Sequence, residues 1–507
     1  MQPDQCSVTF LSPVEILVTG PEALHVWREG QRVSVPGAEY TPRYVHGQWD
    51  GTYAPGKWCR RRPGATAQWE MRASRGLLGR LAATLPIPLI VDDRNGFTAR
   101  LQARIDEWST GHLVLASLRD YQQQATSRAL TEQWGRIALA TNAGKGAVAA
   151  LLAQFALVAT PVLILCDELA VFDALLGELE HWAKLRPGLV GQGVKSPPAD
   201  AVALAMVPTL ARRLSRESED YEQWAQWVAA RGMVLLDEAD KATAATWRLI
   251  LRHCTKSYWR VGFSGTFPSP AEDPYSDLRL DELMGPVLIH AKNIELVHRG
   301  VSARPGVILH SFDVTGALAH PPRDWFGASG PARRQWVFEQ AIVYNVARHH
   351  YIAGLVRPDT PTALVVNHIE HGHALAAAVP GSVFLDGSAS EAQRREVLER
   401  FQRGELRVLV VTKILDRGTN RLGGATDLLF VSGEGSSRQT LQRIGRGLRR
   451  TGGKEFLRLV DVVDRVEVDP AAPRFRHRMA AYIHGAARKR IALYHAEQFD
   501  VEVMATG

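Results

Sequence analysis

The chain has 507 residues, of which 46% are hydrophobic and 22% are charged. This composition excludes a disordered, collagen-like or coiled-coil chain, and the length predicts about three domains. The net charge of +7 leaves two interpretations open, a basic enzyme or a protein with a polyanionic partner. We expect no membrane span and no secretion signal, because no long apolar stretch is present. Four scattered cysteines without a C-x-x-C pair favour the cytoplasm.

The pattern of strand-like and helix-like segments divides the chain into five predicted parts. Residues 1–112 are rich in Trp, Pro, Gly and Arg with short β-like runs, which predicts a small α+β domain. Apolar runs then alternate with helical stretches over 113–312, which is typical of a parallel α/β sheet. A Pro/Gly/Ala-rich hinge is predicted at 313–334. The alternation resumes in a second α/β domain over 335–470, and 471–507 is a basic helical segment.

The first part of the chain carries a basic run with interleaved aromatic residues. Arg60, Arg61 and Arg62 are consecutive and are flanked by Trp58 and Trp69. Arginine side chains neutralise phosphates and aromatic rings stack on bases, so the three arginines are candidate nucleic-acid contacts. The alternative is that the aromatic residues form the core of a small domain, which needs large side chains to bury enough area.

A candidate phosphate loop follows the apolar run 136–139 and precedes a helical run. Backbone N–H groups and a helix N-terminus bind phosphates in such a setting, and Lys145 would reach the β- and γ-phosphates of a nucleotide. Asn142 stands where glycine is common, but asparagine tolerates left-handed backbone. Gly146 stands where a Ser or Thr hydroxyl normally binds Mg²⁺, and glycine has no oxygen to offer. The candidate loop residues are Thr141, Asn142, Ala143, Gly144, Lys145 and Gly146.

An acidic turn follows the apolar run 234–236 and reads Asp237-Glu238-Ala239-Asp240. At the end of a parallel strand, Asp237 would bind Mg²⁺, and Glu238 would orient and deprotonate the attacking water. An isolated acidic turn is more often a solvated surface feature. The phosphate loop upstream favours the catalytic interpretation.

Four further segments complete an ordered set of motifs: 118–122, 264–266, 412–420 and 442–450. The set resembles the superfamily 2 helicases and translocases over about residues 115–465. The resemblance implies an α/β fold with two RecA-like parallel-sheet domains in tandem, preceded by the small α+β domain. It also implies that ATP and Mg²⁺ bind in the cleft between the two parallel-sheet domains.

The same resemblance implies roles for single residues. Arg119 and Gln122 would read the adenine edge, and Ser264 and Thr266 would couple the ATP state to domain closure. Gly418 would touch both ATP and the nucleic-acid backbone.

The resemblance also assigns roles at the γ-phosphate and on the nucleic acid. Gln442, Arg446 and Arg449 would face the γ-phosphate, the two arginines as arginine fingers, because guanidinium forks onto phosphate oxygens. Thr209 and Thr412 would contact the nucleic-acid strand, although the segment around Thr209 matches the strand-gripping motif only loosely.

Phrases at 41–51, 76–78, 283–286 and 384–388 are similar to the phage UvsW type of recombination helicase. This likeness implies an ATP-dependent DNA helicase that remodels branched DNA or R-loops in recombination and replication restart. Its partners would be single-stranded, forked or branched DNA and possibly an RNA–DNA hybrid. The setting would be a bacterial or phage-infected cytoplasm, with a monomer favoured. Two alternatives stay open: an RNA helicase, or a slow or inactive ATPase that clamps nucleic acid. The second alternative is suggested by Gly146.

Overall fold

The computed structural model describes residues 5–62, 68–92, 117–157, 159–191, 193–412, 424–433, 437–450 and 453–504. The chain divides into two compact units. Unit 1 contains Met1–Leu139 and Gly144–Ala291, and unit 2 contains Ala140–Ala143 and Lys292–Gly507. In the described ranges no helix is long and apolar enough to cross a membrane.

Unit 1 begins with a small α+β domain. Its strands are β1 (Cys6–Ser12), β2 (Glu15–Gly20), β3 (Val33–Ser34), β4 (Thr52–Tyr53), β5 (Trp58–Arg61), β6 (Trp69–Ser74) and β7 (Leu89–Asp92). Its helices are α1 (Ala23–Gly30), α2 (Pro42–Val45) and α3 (Leu78–Thr84). The main sheet has the order β5-β6-β2-β1-β7, with β5 at one edge. Alternate residues of β6, Met71 and Ala73, face the core, as the two-residue period of a half-buried strand requires.

A parallel α/β sheet forms the rest of unit 1, in the order β10-β11-β9-β12-β13-β8-β14. Strands such as β9 and β12 are continuous apolar runs because both of their faces are buried. The strands are β8 (Trp134–Leu139), β9 (Val162–Cys166), β10 (Gly188–Val190), β11 (Val202–Met206), β12 (Met233–Asp237), β13 (Trp259–Ser264) and β14 (Val287–Ala291). The helices are α4 (Asp120–Glu132), α5 (Lys145–Ala156), α6 (Leu169–Ala183), α7 (Val207–Arg213), α8 (Tyr221–Ala229), α9 (Ala245–His253) and α10 (Pro274–Met284).

One half-buried and three buried charged side chains join the α+β domain to this sheet. Arg80 of α3 contacts Asp277 at 2.5 Å and also pairs with Asp281, both on α10. Arg136 of β8 contacts the same two carboxylates, at 3.2 Å and 2.5 Å. Gly76 lies so close to α10 that an added β-carbon would collide with backbone carbonyl oxygens of that helix. The α+β domain is therefore packed firmly on the parallel sheet.

Unit 2 contains a second parallel sheet, in the order β17-β18-β16-β19-β20-β15-β21. The strands are β15 (Arg304–Asp313), β16 (Thr362–Val365), β17 (Ser382–Leu385), β18 (Val408–Val411), β19 (Asp427–Phe430), β20 (Phe456–Arg465) and β21 (Asp500–Met504). The helices are α11 (Asn293–His298), α12 (Gly330–Phe338), α13 (Val346–Leu355), α14 (Ile369–Ala378), α15 (Glu391–Gln402), α16 (Ser437–Gly447) and α17 (Arg474–Ala496).

The predicted fold class is confirmed, since two parallel sheets follow a small α+β domain. The predicted domain boundary at 312 differs from the observed division, because β15 pairs along its whole length with β20 of the second sheet. The predicted basic helix of 471–507 is α17, but the chain then adds β21 to the same sheet. Within that helix Arg490 is buried against Asp461 and is not a surface cation.

Candidate active site

The motifs of the first parallel sheet meet at one edge. Strands β12, β13 and β8 are adjacent and parallel, and the acidic turn, Ser264 and the phosphate loop follow their respective carboxyl ends. In open parallel α/β sheets this edge is where ligands bind. Three segments that are distant along the chain are therefore brought to one place within the described part of the chain.

The phosphate loop has the backbone that the sequence predicts. Asn142 has a φ of 72° and Gly144 a φ of 79°, so both are left-handed, and α5 begins at Lys145. The Lys145 ammonium donates to the Leu139 carbonyl oxygen at 3.0 Å, which folds this side chain back over the loop. The first residues of the loop, Ala140–Ala143, belong to unit 2. There the Asn142 side-chain amide donates to the carbonyl oxygen of Gly445 at 2.5 Å.

Gln122 lies next to the loop, whereas Arg119 is more open. Gln122 is buried on α4, and its Oε1 accepts a hydrogen bond from the Arg119 backbone N–H at 3.0 Å. A β-carbon on Gly144 would collide with the Gln122 Nε2 atom, so the amide packs against the loop. The Arg119 side chain is exposed and lies 3.4 Å from the Tyr121 hydroxyl. Adenine recognition by these two residues stays a prediction.

Asp237 and Glu238 lie where β12 ends. The pKa of Asp237 is raised to about 6, chiefly by removal from water, while the positive charge of Lys145 opposes the shift. Carboxylate oxygens are the protein ligands that Mg²⁺ prefers, and Asp237 close to a phosphate-loop lysine fits such an ion. Glu238 has a left-handed backbone with a φ of 51°.

Glu238 belongs to a cluster of three carboxylates. Asp167, Glu168 and Glu238 each place an oxygen within 4.8 Å of the others. The Lys241 ammonium contacts all three, at 3.1 Å from Asp167, 3.0 Å from Glu168 and in a close ion pair with Glu238. This lysine balances charge at a group that could otherwise hold a cation. The motif pattern did not single out Lys241, although it follows the acidic turn directly.

Ser264 connects the acidic turn to the next strand. Its hydroxyl donates to the buried Asp240 carboxylate at 2.7 Å and accepts from the Thr266 backbone N–H at 3.1 Å. Asp240, which the sequence analysis did not assign a role, is thereby the acid that links β12 to β13. The coupling role of Ser264 and Thr266 stays a prediction.

The candidate residues of the second sheet lie in unit 2. Arg446 is on α16, and Arg449 follows this helix and forms an isolated β-bridge with Ser302. Thr412 follows β18 and is buried. A residue that the motifs did not assign, the buried Arg443, donates to the Asn367 side-chain oxygen at 2.8 Å and fixes α16 beside the end of β16. The remaining two candidates lie outside the described part: Gly418 altogether, and Gln442 in its side chain.

Candidate nucleic-acid contacts occur at two places in unit 1. Arg60, Arg61 and Arg62 are exposed at the edge strand β5 or directly after it, and the Arg60 guanidinium lies 4.6 Å from the centre of the Trp58 ring. Glu70 is 3.8 Å from Arg60 and 3.6 Å from Arg62, so part of the charge is balanced. Thr209 is half-buried in the first turn of α7, after the carboxyl end of β11.

Comparison with known families defines the class of protein. Residues 115–269 match the family described as "Type III restriction enzyme, res subunit", and residues 360–451 match the "Helicase conserved C-terminal domain". The first match lies in the first parallel α/β domain and the second match lies in the second, so each parallel sheet has its own family match.

The chain is similar to curated proteins of two organisms. It is 26% identical over 339 residues to the Rad25 protein of Haloarcula marismortui, covering 66% of this chain and 51% of that protein. It is 24% identical over 373 residues to the DNA 3'-5' helicase XPB of Mycobacterium tuberculosis, covering 71% of this chain and 63% of XPB. The chain thus spans about half the length of the first relative and less than two thirds of the second.

Solved structures with a similar fold include a DNA-bound restriction enzyme. The Type ISP restriction-modification enzyme LlaBIII matches with a TM-score of 0.50 and 14% identity, over 77% of this chain and 31% of that one. UvsW of bacteriophage T4 matches with a TM-score of 0.45 and 17% identity, over 99% of both chains.

Proposed function

We propose that this chain is an ATP-driven DNA helicase or translocase. The observation that carries the proposal is the hydrogen bond between Ser264 and Asp240, which ties the acidic turn to the strand beside the phosphate loop. A contact of this kind lets a change at the phosphates move a neighbouring strand end. The similarity to a protein named as a DNA helicase supports DNA as the partner.

In this proposal, the candidate residues at the carboxyl-terminal edge of the first parallel sheet each have a chemical role. Lys145 would leave the Leu139 carbonyl and bind phosphate, and Asp237 would hold Mg²⁺, which when bound neutralises charge on the phosphates. Glu238 would orient and deprotonate the attacking water once its pairing with Lys241 loosens. Gln442, Arg446 and Arg449 of the second sheet would stabilise charge on the γ-phosphate, as Arg side chains do in such reactions.

The DNA substrate in this proposal is branched or forked DNA, or an R-loop, in recombination and replication restart. This part rests on the sequence likeness of 41–51 and 76–78 to the phage UvsW type. The exposed cations Arg60–Arg62 add a surface that suits a phosphate backbone.

The test measures ATP hydrolysis without nucleic acid and with single-stranded DNA, forked DNA or RNA, beside Lys145→Ala. We expect forked DNA to stimulate hydrolysis most, and the lysine variant to lose the activity because the phosphate loses its cation. Stimulation by RNA alone would replace the DNA proposal with an RNA helicase.

A second candidate is a slow ATPase that clamps nucleic acid. Two observations favour it: Gly146 offers no hydroxyl, and the Glu238 carboxylate is engaged by Lys241. This candidate predicts tight DNA binding with no DNA-stimulated turnover in the same assay.

A further inference from the structure

Gly146 is not an open position, because a side chain from the next helix fills the space beside it. A β-carbon on Gly146 would lie 2.7 Å from Glu178 Cγ and 3.1 Å from Glu178 Cδ. Real β-carbons essentially never approach a heavy atom to less than 3.0 Å. The carboxyl group of Glu178 thus lies next to the place where a Ser or Thr side chain would stand.

The fold holds Glu178 in this place. Helix α6 packs on α5, and Gln154 of α5 donates to the carbonyl oxygen of Ala183, the last residue of α6, at 3.4 Å. Trp182, one helical turn after Glu178, donates its indole N–H to Glu178 Oε2 at 2.8 Å. The half-buried Glu178 is therefore oriented by its own helix.

The second carboxylate oxygen has no hydrogen bond among the described residues. Glu178 Oε2 accepts from Trp182, while Oε1 takes part in no hydrogen bond or ion pair within this part of the chain. A carboxylate oxygen is a stronger ligand for Mg²⁺ than a hydroxyl, and this one lies beside the first turn of the phosphate-loop helix.

We propose that Glu178 supplies the Mg²⁺ ligand that Gly146 lacks, so that the two residues form a compensating pair. The glycine is small because the glutamate needs the space, and the glutamate replaces the missing hydroxyl. This inference rests on the proposed ATPase function. It makes the metal site of this chain more negative than one with a neutral Ser or Thr ligand.

The additional negative charge has a distinctive consequence for nucleotide binding. Without metal, Glu178 would repel the phosphates of ADP, and with metal it would attract the cation bound together with them. Removing the charge of Glu178 should therefore weaken the binding of the metal ion and strengthen the binding of metal-free ADP. A residue with a merely structural role would weaken both.

The experiment uses the full-length protein and measures Mn²⁺ binding by electron paramagnetic resonance in the presence of ADP. ADP binding is measured separately in EDTA. Glu178→Gln keeps the size and the acceptor for Trp182 but removes the charge. Glu180→Gln is the matched control, because Glu180 is exposed on the same helix and pairs with Arg186 at 3.5 Å.

We expect Glu178→Gln to weaken Mn²⁺ binding about tenfold or more while metal-free ADP binds more tightly than in the wild type. The Glu180→Gln control should change neither value. Equal Mn²⁺ affinity in wild type and Glu178→Gln would overturn the assignment. If the wild type bound no ADP at all, the proposed ATPase function would fail instead, so the two failures are distinguishable.

A double variant provides an independent check. In the Glu178→Ala background, Gly146→Thr should restore Mn²⁺ affinity, because threonine can then occupy the vacated space and offer its hydroxyl. With Glu178 present, the same threonine would collide with the glutamate and bring no gain. An equal gain in both backgrounds would contradict the compensating pair.

Discussion

In the proposed motor, the contact between Ser264 and Asp240 would transmit nucleotide chemistry to strand movement. The hydroxyl donates to a buried carboxylate at 2.7 Å. Hydrogen bonds to charged groups are worth about 1.5–3 kcal/mol. We expect Ser264→Ala to retain ATP hydrolysis within a few-fold while strand displacement falls about tenfold or more. Parallel hydrolysis and displacement assays, with Ser269→Ala in the loop after the same strand as control, test this. Equal losses in both assays would show that Ser264 serves hydrolysis itself.

The buried Lys454 leads to a prediction about how the stability of the folded protein depends on pH. Burial lowers its pKa to about 8, and its ammonium donates to the carbonyl oxygens of Ala425, at 2.6 Å, and Gly447. Between about pH 8 and the usual lysine pKa of about 10.4, the unfolded chain binds a proton here that the folded chain does not. The contribution of this lysine to stability therefore rises with pH over that window.

The measurement is the melting temperature of the wild type relative to Lys454→Met from pH 7 to pH 10. We expect the wild type to gain stability relative to the variant as the pH rises. A difference that is constant with pH would mean that Lys454 stays charged in the folded protein.

The packing of the α+β domain on the first parallel sheet rests on Arg80 of α3. Its pairs with Asp277 and Asp281 are largely buried, and removing one partner of a buried ion pair costs about 3–5 kcal/mol. Arg136 still contacts both carboxylates in the variant, so we expect a cost near the lower limit for Arg80→Ala. Arg32→Ala is the control, since its pair with Glu29 is more exposed. Thermal unfolding and limited proteolysis would detect the change, and an equal effect of both variants would contradict the role of the buried cluster.

Elements with strong local patterns were predictable from the sequence. Strand β9 and the first four residues of β12 are apolar because both faces are covered, and such runs are easily identified in a sequence. The left-handed backbone of Asn142 agrees with the tolerance of asparagine for this conformation at a position where glycine is common. In contrast, β15 begins with Arg304, Pro305 and Gly306, and it becomes a strand because β20 and β21 flank it.

The candidate site was predictable where its residues form continuous motifs. The phosphate loop and the acidic turn can be identified from their residue types and from their order along the chain. Lys241 and Glu178 gave no such signal, because their importance depends on what lies beside them in the fold: three carboxylates beside Lys241, and Gly146 beside Glu178. Contacts between separate segments carry no local signal.

The exposed basic edge of the α+β domain leads to a prediction about the salt dependence of DNA binding by the whole molecule. Replacing Arg60–Arg62 by alanine removes three exposed cations, and each phosphate contact contributes about 0.9 to the slope of log affinity against log salt. We expect weaker DNA binding with a slope reduced by about 2 to 3, and unchanged hydrolysis without DNA. Fluorescence anisotropy at several salt concentrations measures this. A control that removes Arg186, Arg216 and Arg252, which are exposed elsewhere in unit 1, should change the slope less.

The central claim is that ATP hydrolysis drives this protein along DNA. Displacement of a labelled strand from forked DNA, with ATP or a non-hydrolysable analogue, tests it most directly. We predict that wild type displaces the strand only with ATP, and that Lys145→Ala binds the fork but leaves it intact. Stable binding of the wild type to the fork without displacement, at saturating ATP and Mg²⁺, would contradict the motor and favour the clamp.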